Sequence, residues 1–208
     1  MVMNEPASPP RVRLAVRVGV TGHRPNRLAQ ADEPLLRTKI RDVLELIRLT
    51  AKDVLAVTDS AYTPGPPILC VISPLAEGAD RIAAQEAVEL GFELQCPLPF
   101  DRKEYEKDCK TLESRAEYCT LLAKATAVLE LDGSRDTAKR ENESYEAVGR
   151  MVLRQCDVLI AIWDGEEPAG KGGTGQIVEG SIHLEIPTVW IYSSPPPRHL
   201  FTGTGCGR

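Results

Sequence analysis

Cys156 to Gly180 reads CDVLIAIWDGEEPAGKGGTGQIVEG. An apolar run stops at Asp164, a loop with glycines at 170, 172, 173 and 175 follows, and the apolar spacing then turns helical. A buried strand passing through glycines into a helix is the repeating unit of a parallel α/β sheet. The run DVLIAIW lacks polar alternation, as expected of a strand covered on both faces. The loop is either a cradle for a phosphorylated ligand or a connection, and the glycines alone do not decide between them.

The same alternation runs outward in both directions. Residues 13–22, RLAVRVGVTG, read as a strand ending in a glycine turn. Residues 34–57 place Leu36, Ile40, Val43, Leu44, Ile47 and Val54 near one helical face. PPILCVIS (66–73) is a second strand, 77–91 a helix closed by Gly91, and FELQCPLP (92–99) a third strand. Helical material reaches Lys124 with a break near Lys110–Thr111, and TAVLELDG (126–133) is the fourth strand. A helix over 141–156 leads into the fifth strand, TGQIVEGSIHLEI is a further helix, and PTVWIYSS (187–194) is the sixth strand. These elements predict a Rossmann-like α/β fold: an open, mostly parallel sheet of about six strands with helices on both faces. Residues 12–194 form that domain, 1–11 read as a floppy leader, and 195–208 as a tail or the start of a linker.

Composition sets outer limits. With 208 residues, 42% hydrophobic and 26% charged, the chain suits one globular domain. The apolar runs are too short to span a bilayer, and the N-terminus has no signal-peptide core, so a cytoplasmic location is expected. The six cysteines form no CxxC pair and no zinc-like spacing with the three histidines, which predicts reduced thiols and no metal centre. A net charge of −5 argues against nucleic acid as a partner.

Ligands of open α/β sheets bind at the carboxyl ends of the strands, near the switch point of strand order. Thr21, Gly22, His23 and Arg24 follow the first strand, where a glycine turn admits backbone N–H groups to an anion and Arg24 adds charge. Ser73, Glu77, Gly78 and Asp80 follow the second; small residues let a ligand pack close, and either acid is suited to accept a ribose hydroxyl. Asp101 follows the third strand, Asp132 the fourth and Asp164 the fifth. Gly172, Gly173, Thr174 and Gly175 open a helix whose N-terminal N–H groups and dipole attract anions. Acids at four strand ends would repel a bare phosphate, so they predict contacts to ribose or base, with a bridging Mg²⁺ as one way of reconciling the two. Arg135 lies in the polar run 132–144, read as a solvated segment or a ligand-closing lid, and Tyr145 after it as a packing or base-stacking residue.

VGVTGHR, SPLAEGADR, CDVLIAIWDG and GGTGQIV, in that order and spacing, resemble the SLOG superfamily, which includes the LOG phosphoribohydrolases and the DprA fold. The resemblance covers Val12 to Ser193 and implies a nucleotide-derived ligand, a homo-oligomer, and a signal passed to an effector domain or partner chain. LOG enzymes carry PGGxGTxxE, whose Glu acts with an upstream Arg on an N-glycosidic bond. Gly172, Gly173, Gly175 and Glu179 match; Lys171 replaces the Pro, Gln176 the Thr, and Val148 stands where the Arg is expected. Similarity to nucleoside deoxyribosyltransferases implies an acid nucleophile, for which Glu179, Asp132 and Asp164 are candidates.

Two readings therefore stand side by side. One is a domain that binds or senses an NAD-, ADP-ribose- or nucleoside-phosphate-like ligand. The other is an N-glycosidase or glycosyltransferase with Glu179 as its catalytic acid. A DprA-like DNA-binding role is the weakest reading from the charge, and would draw on Arg24, Arg102, Arg135 and Arg140.

Overall fold

A computed structural model describes residues 10–58, 61–166 and 173–193. The glycines at 170 and 172, Lys171, Cys206, most of the expected leader and all of the expected tail lie outside these residues.

Six strands form one parallel sheet: β1 (Ala15–Gly22), β2 (Ile68–Ile72), β3 (Glu93–Leu98), β4 (Ala127–Glu130), β5 (Val158–Trp163) and β6 (Thr188–Tyr192). Their order is β4-β3-β2-β1-β5-β6, with every neighbouring pair parallel. The chain steps from β1 out to β4, then crosses back to lay β5 on the other side of β1. The switch point, and the crevice it opens, therefore lies between the carboxyl ends of β1 and β5. There Gly22 pairs with Ile162, and the His23 N–H extends the ladder to the Ile162 carbonyl at 3.1 Å.

The helices follow from the apolar spacing. Helix α2 (Glu33–Val57) buries Leu36, Ile40, Leu44 and Ala51, and starts where the Asp32 side chain accepts from the Leu35 N–H. Helices α3 (Ala79–Glu89) and α5 (Leu112–Lys124) join it over one face, in a core with Val18, Val20, Val71, Leu94 and Ile160. Helices α6 (Ala138–Gln155) and α7 (Thr174–His183) cover the other, where Val152, Leu153 and Ile177 meet Cys70, Ile72 and Leu159. Alternate residues of one strand thus enter opposite cores, which is why the strands read as unbroken apolar runs.

The expected sheet is present, and three local features differ from the sequence reading. Residues 25–28 form a short helix α1 (Pro25–Leu28), whereas α4 (Arg102–Tyr105) falls within the helical material expected before the break. Helix α6 begins at Ala138 because Thr137 caps it, its hydroxyl accepting from the Arg140 N–H at 3.2 Å. Residue 11, expected in the leader, is tied to the domain: its carbonyl accepts from the Thr63 hydroxyl at 2.6 Å. Among the described residues the five cysteines are free thiols, and no helix is long and apolar enough to cross a membrane.

Candidate functional site

The β1 turn is built by close packing. A Cβ on Gly22 would lie 2.4 Å from the Ala79 Cβ and 3.0 Å from the Ile162 Cβ, so only glycine lets α3 and β5 close on the strand end. Gly78 has φ +103°, and its Cβ would meet the His23 carbonyl at 2.6 Å; that same carbonyl accepts from the Ala79 N–H at 3.0 Å. These two glycines lock the first two strand-end loops to each other.

Around this junction lies a cleft of about 350 Å³. Thr21, Gly22, His23 and Arg24 line it from β1, Asn26 and Arg27 from α1, and Asp80 from α3. Tyr105 and the α6 residues Tyr145, Val148 and Gly149 form a further wall, and Gly173, Thr174 and Gly175 bring the N-terminus of α7 to it. Gly173 is the cap residue of α7 and brings no side chain to cap the first turn. The cleft thus joins the expected loops after β1 and β5, and takes Pro74, Ala76 and Asp80 from the segment after β2.

Its two arginines differ. Arg27 holds Asp164 at 2.8 Å, whereas Arg24 is 44% exposed and reaches Asp108 only at 3.6 Å. Arg24 also lies 5.7 Å from the centre of the Tyr145 ring. Asp108 is already engaged, accepting from Arg135 at 2.6 Å and from the Tyr145 hydroxyl at 2.6 Å. Arg135 also pairs with Glu141 and packs 4.1 Å from the centre of the Phe100 ring. The residue read as part of a solvated run or lid is therefore a brace behind the cleft, and its partners leave Arg24 the less committed guanidinium.

Asp80 is 4% exposed and is the only carboxylate lining the cleft among the described residues. Burial pushes its pKa up to about 7, against the pull of Arg24, the Ala76 N–H, Arg81 and the Gly22 N–H. The folded chain therefore keeps a proton that the unfolded chain releases near 3.8. Its contribution to stability is full below that value and is lost as pH rises to about 7. The loss of this contribution lowers the melting temperature of the native chain relative to Asp80→Asn as pH rises from about 4 to about 7. Melting curves of both proteins across that range check it; a constant difference would contradict it.

The remaining expected site residues lie elsewhere. Asp164 sits beside the cleft, where its carboxylate engages His23 Nε2 at 2.9 Å, Arg27, and the Glu166 N–H at 2.9 Å. Partial burial raises its pKa, but the Glu166 N–H, His23 and Arg27 outweigh that and hold it below the usual carboxylate value. Ser73 is buried, and its hydroxyl accepts from the Leu75 N–H at 3.1 Å within its own turn. Glu77 and Gly78 flank the cleft without lining it. Asp101 is exposed and caps α4 through the Lys103 N–H at 2.9 Å, which leads the causes holding its carboxyl low. Asp132 is exposed at a separate depression beyond β4.

Glu179, the expected catalytic acid, projects from the exposed side of α7 with His183 at 3.8 Å and does not line the cleft. Val148, at the position matched to the LOG arginine, does line it, so the wall there is apolar. Among the described residues no group of three or more His, Cys, Asp and Glu side chains gathers as a metal site.

No protein-family model and no curated protein matches the chain. Among solved structures it is similar to DNA processing protein A from Helicobacter pylori, described for its single-stranded DNA binding mode. The TM-score is 0.52 at 15% identity, over 88% of this chain and 67% of that one. DprA from Streptococcus pneumoniae gives 0.47 at 15% identity, over 88% of this chain and 52% of that one. The Moco carrier protein of Chlamydomonas rheinhardtii gives 0.39 at 14% identity, over 85% and 75%. The fold is DprA-like.

This DprA-like fold corrects one expectation. The net charge argues against nucleic acid, yet the H. pylori protein of like fold binds single-stranded DNA. A chain-wide −5 is an average over the whole surface, and locally Arg24 and Arg27 both line the cleft.

Proposed function

We propose that this DprA-like domain binds a nucleotide-derived ligand in the β1/β5 cleft, with its phosphate between Arg24 and the N-terminus of α7. The supporting observation is the convergence, in one cleft, of the less committed guanidinium with a helix N-terminus to which the cap residue Gly173 brings no side chain. The Tyr105 and Tyr145 walls and the apolar surfaces of Val20, Val148 and Ile177 suit a base or sugar. A cleft of about 350 Å³ falls at the small end of ligand sites, in keeping with a nucleoside monophosphate or one half of a dinucleotide. Asp80, which lines the same cleft, would accept a ribose or base hydrogen.

Binding without turnover is favoured over glycosidic cleavage, because Glu179 faces away from the cleft and Val148 supplies no charge to it. The likeness to H. pylori DprA supports a second reading, in which one nucleotide of a single strand enters the same cleft.

Thermal shift with AMP, ADP-ribose, NAD and a short single-stranded oligonucleotide, followed by product analysis, tests these readings. Stabilisation by the mononucleotides without a product is the expected result. Release of a base would move the assignment to an enzyme, and a response to the oligonucleotide alone would favour the second reading. No response to any of them contradicts both.

A further inference from the structure

Helix α2 carries two faces. One packs on the sheet through Leu36, Ile40, Leu44 and Ala51. The other presents Leu35, Lys39, Asp42, Leu46, Leu49 and Asp53, all exposed. Their steps alternate four and three, the spacing of a coiled-coil seam. At about 100° per residue these positions and Val57 fall within roughly 80° of arc. Of eleven exposed large hydrophobic residues among the described ones, five are on this helix, including Leu46 at 64% and Val57 at 82%. Such concentration is more than the scatter expected of single surface leucines.

We infer that this face is an interface between two copies of the chain, with the α2 helices antiparallel about a twofold axis at Leu46. A twofold contact must be self-complementary. With the axis at Leu46, that residue meets its own copy, Leu35 meets Val57, and Lys39 meets Asp53, each pair occurring twice. Charge favours this register: it alone pairs Lys39 with Asp53, whereas an axis between Ile47 and Arg48 would set Asp42 against Asp53 on both sides, and one at Leu44 would set Lys39 and both acids against leucines. Polar residues within a seam fix register in this way, at some cost in stability. The inference is independent of the ligand proposed for the cleft, which lies at the strand ends.

Sedimentation velocity of the full chain tests it. The expected species has twice the 22.8 kDa chain mass, and Leu46→Asp yields the monomer. Lys39→Asp replaces two attractions with two repulsions and weakens the dimer about tenfold; adding Asp53→Lys restores it. All of these positions are exposed, so the variants retain their circular dichroism and melting behaviour. A monomer at concentrations up to about 100 μM, far above the Kd expected of a stable dimer, would overturn the inference. So would association indifferent to Leu46→Asp, or a double charge reversal that fails to rescue the single one.

Discussion

Arg24→Ala weakens binding of a nucleoside monophosphate by about 10- to 100-fold, the loss expected for a charge-assisted hydrogen bond worth roughly 1.5–3 kcal/mol. Its position explains the size of the effect. Arg24 is the residue before α1 and is fixed by the β1 turn, so little ordering is needed to present it to the cleft. Asp108 is 3.6 Å away and shared with Arg135 and Tyr145, which makes it a weak competitor for a phosphate. Arg27→Ala gives a smaller loss, because that side chain is committed to Asp164 at 2.8 Å. Calorimetric titration of the three proteins checks the order, and equal losses for both variants would remove the distinction drawn between the arginines.

Arg81→Ala destabilises the fold by about 3–5 kcal/mol, the usual cost of breaking a buried charged contact. This guanidinium is 2% exposed and donates to the Leu75 carbonyl at 3.0 Å, the Ser114 carbonyl at 2.8 Å and Glu117 at 3.0 Å. It also lies 5.7 Å from the centre of the Tyr118 ring. Removing it strands buried acceptors on the β2–α3 loop and on α5 together. For a chain of this size the melting temperature falls by roughly 6–20 °C. Arg81→Met restores the packing of the stem but none of the donors, and recovers only part of the loss. A fall below about 1 kcal/mol in urea unfolding would show that these acceptors find other partners. Ligand affinity falls with stability here, since the Leu75 loop leads directly to Asp80.

The fold was legible because its strands are continuous runs of Val, Ile and Leu and its helices have clean stops, such as Gly91 at φ +82°. Short elements were not: α1 spans only Pro25–Leu28 and offers no apolar period to read. The start of α6 was hidden for the same reason, since AKRENES is polar throughout and only the Thr137 cap marks it.

Of the site, the turns at Thr21–Arg24 and Gly173–Gly175 were visible as glycine breaks between strand and helix, and the sheet brings them together. A strand end is not sufficient, however. In the order β4-β3-β2-β1-β5-β6, Asp132 ends a strand three places from β1 and lines a separate depression, and Asp101 turns its carboxylate to cap α4 while Tyr105 of the same segment reaches the cleft. Glu179 matched a motif by spacing, but the rotation of α7 buries Gly175, Ile177, Val178 and Ser181 and turns Glu179 outward. Arg135, Asp108 and Tyr145 meet across separate elements, so no local pattern could show their cluster. Tyr105 and Arg27 were missed likewise; only their places just after strand ends offered a signal.

The most direct test compares AMP with adenosine by calorimetry on the native chain. Adenosine offers the same base and sugar and lacks the one group assigned to Arg24 and the α7 N-terminus. At least about tenfold tighter binding of AMP is expected from one charge-assisted contact. Equal affinities, or tighter binding of adenosine, would contradict a phosphate site in this cleft.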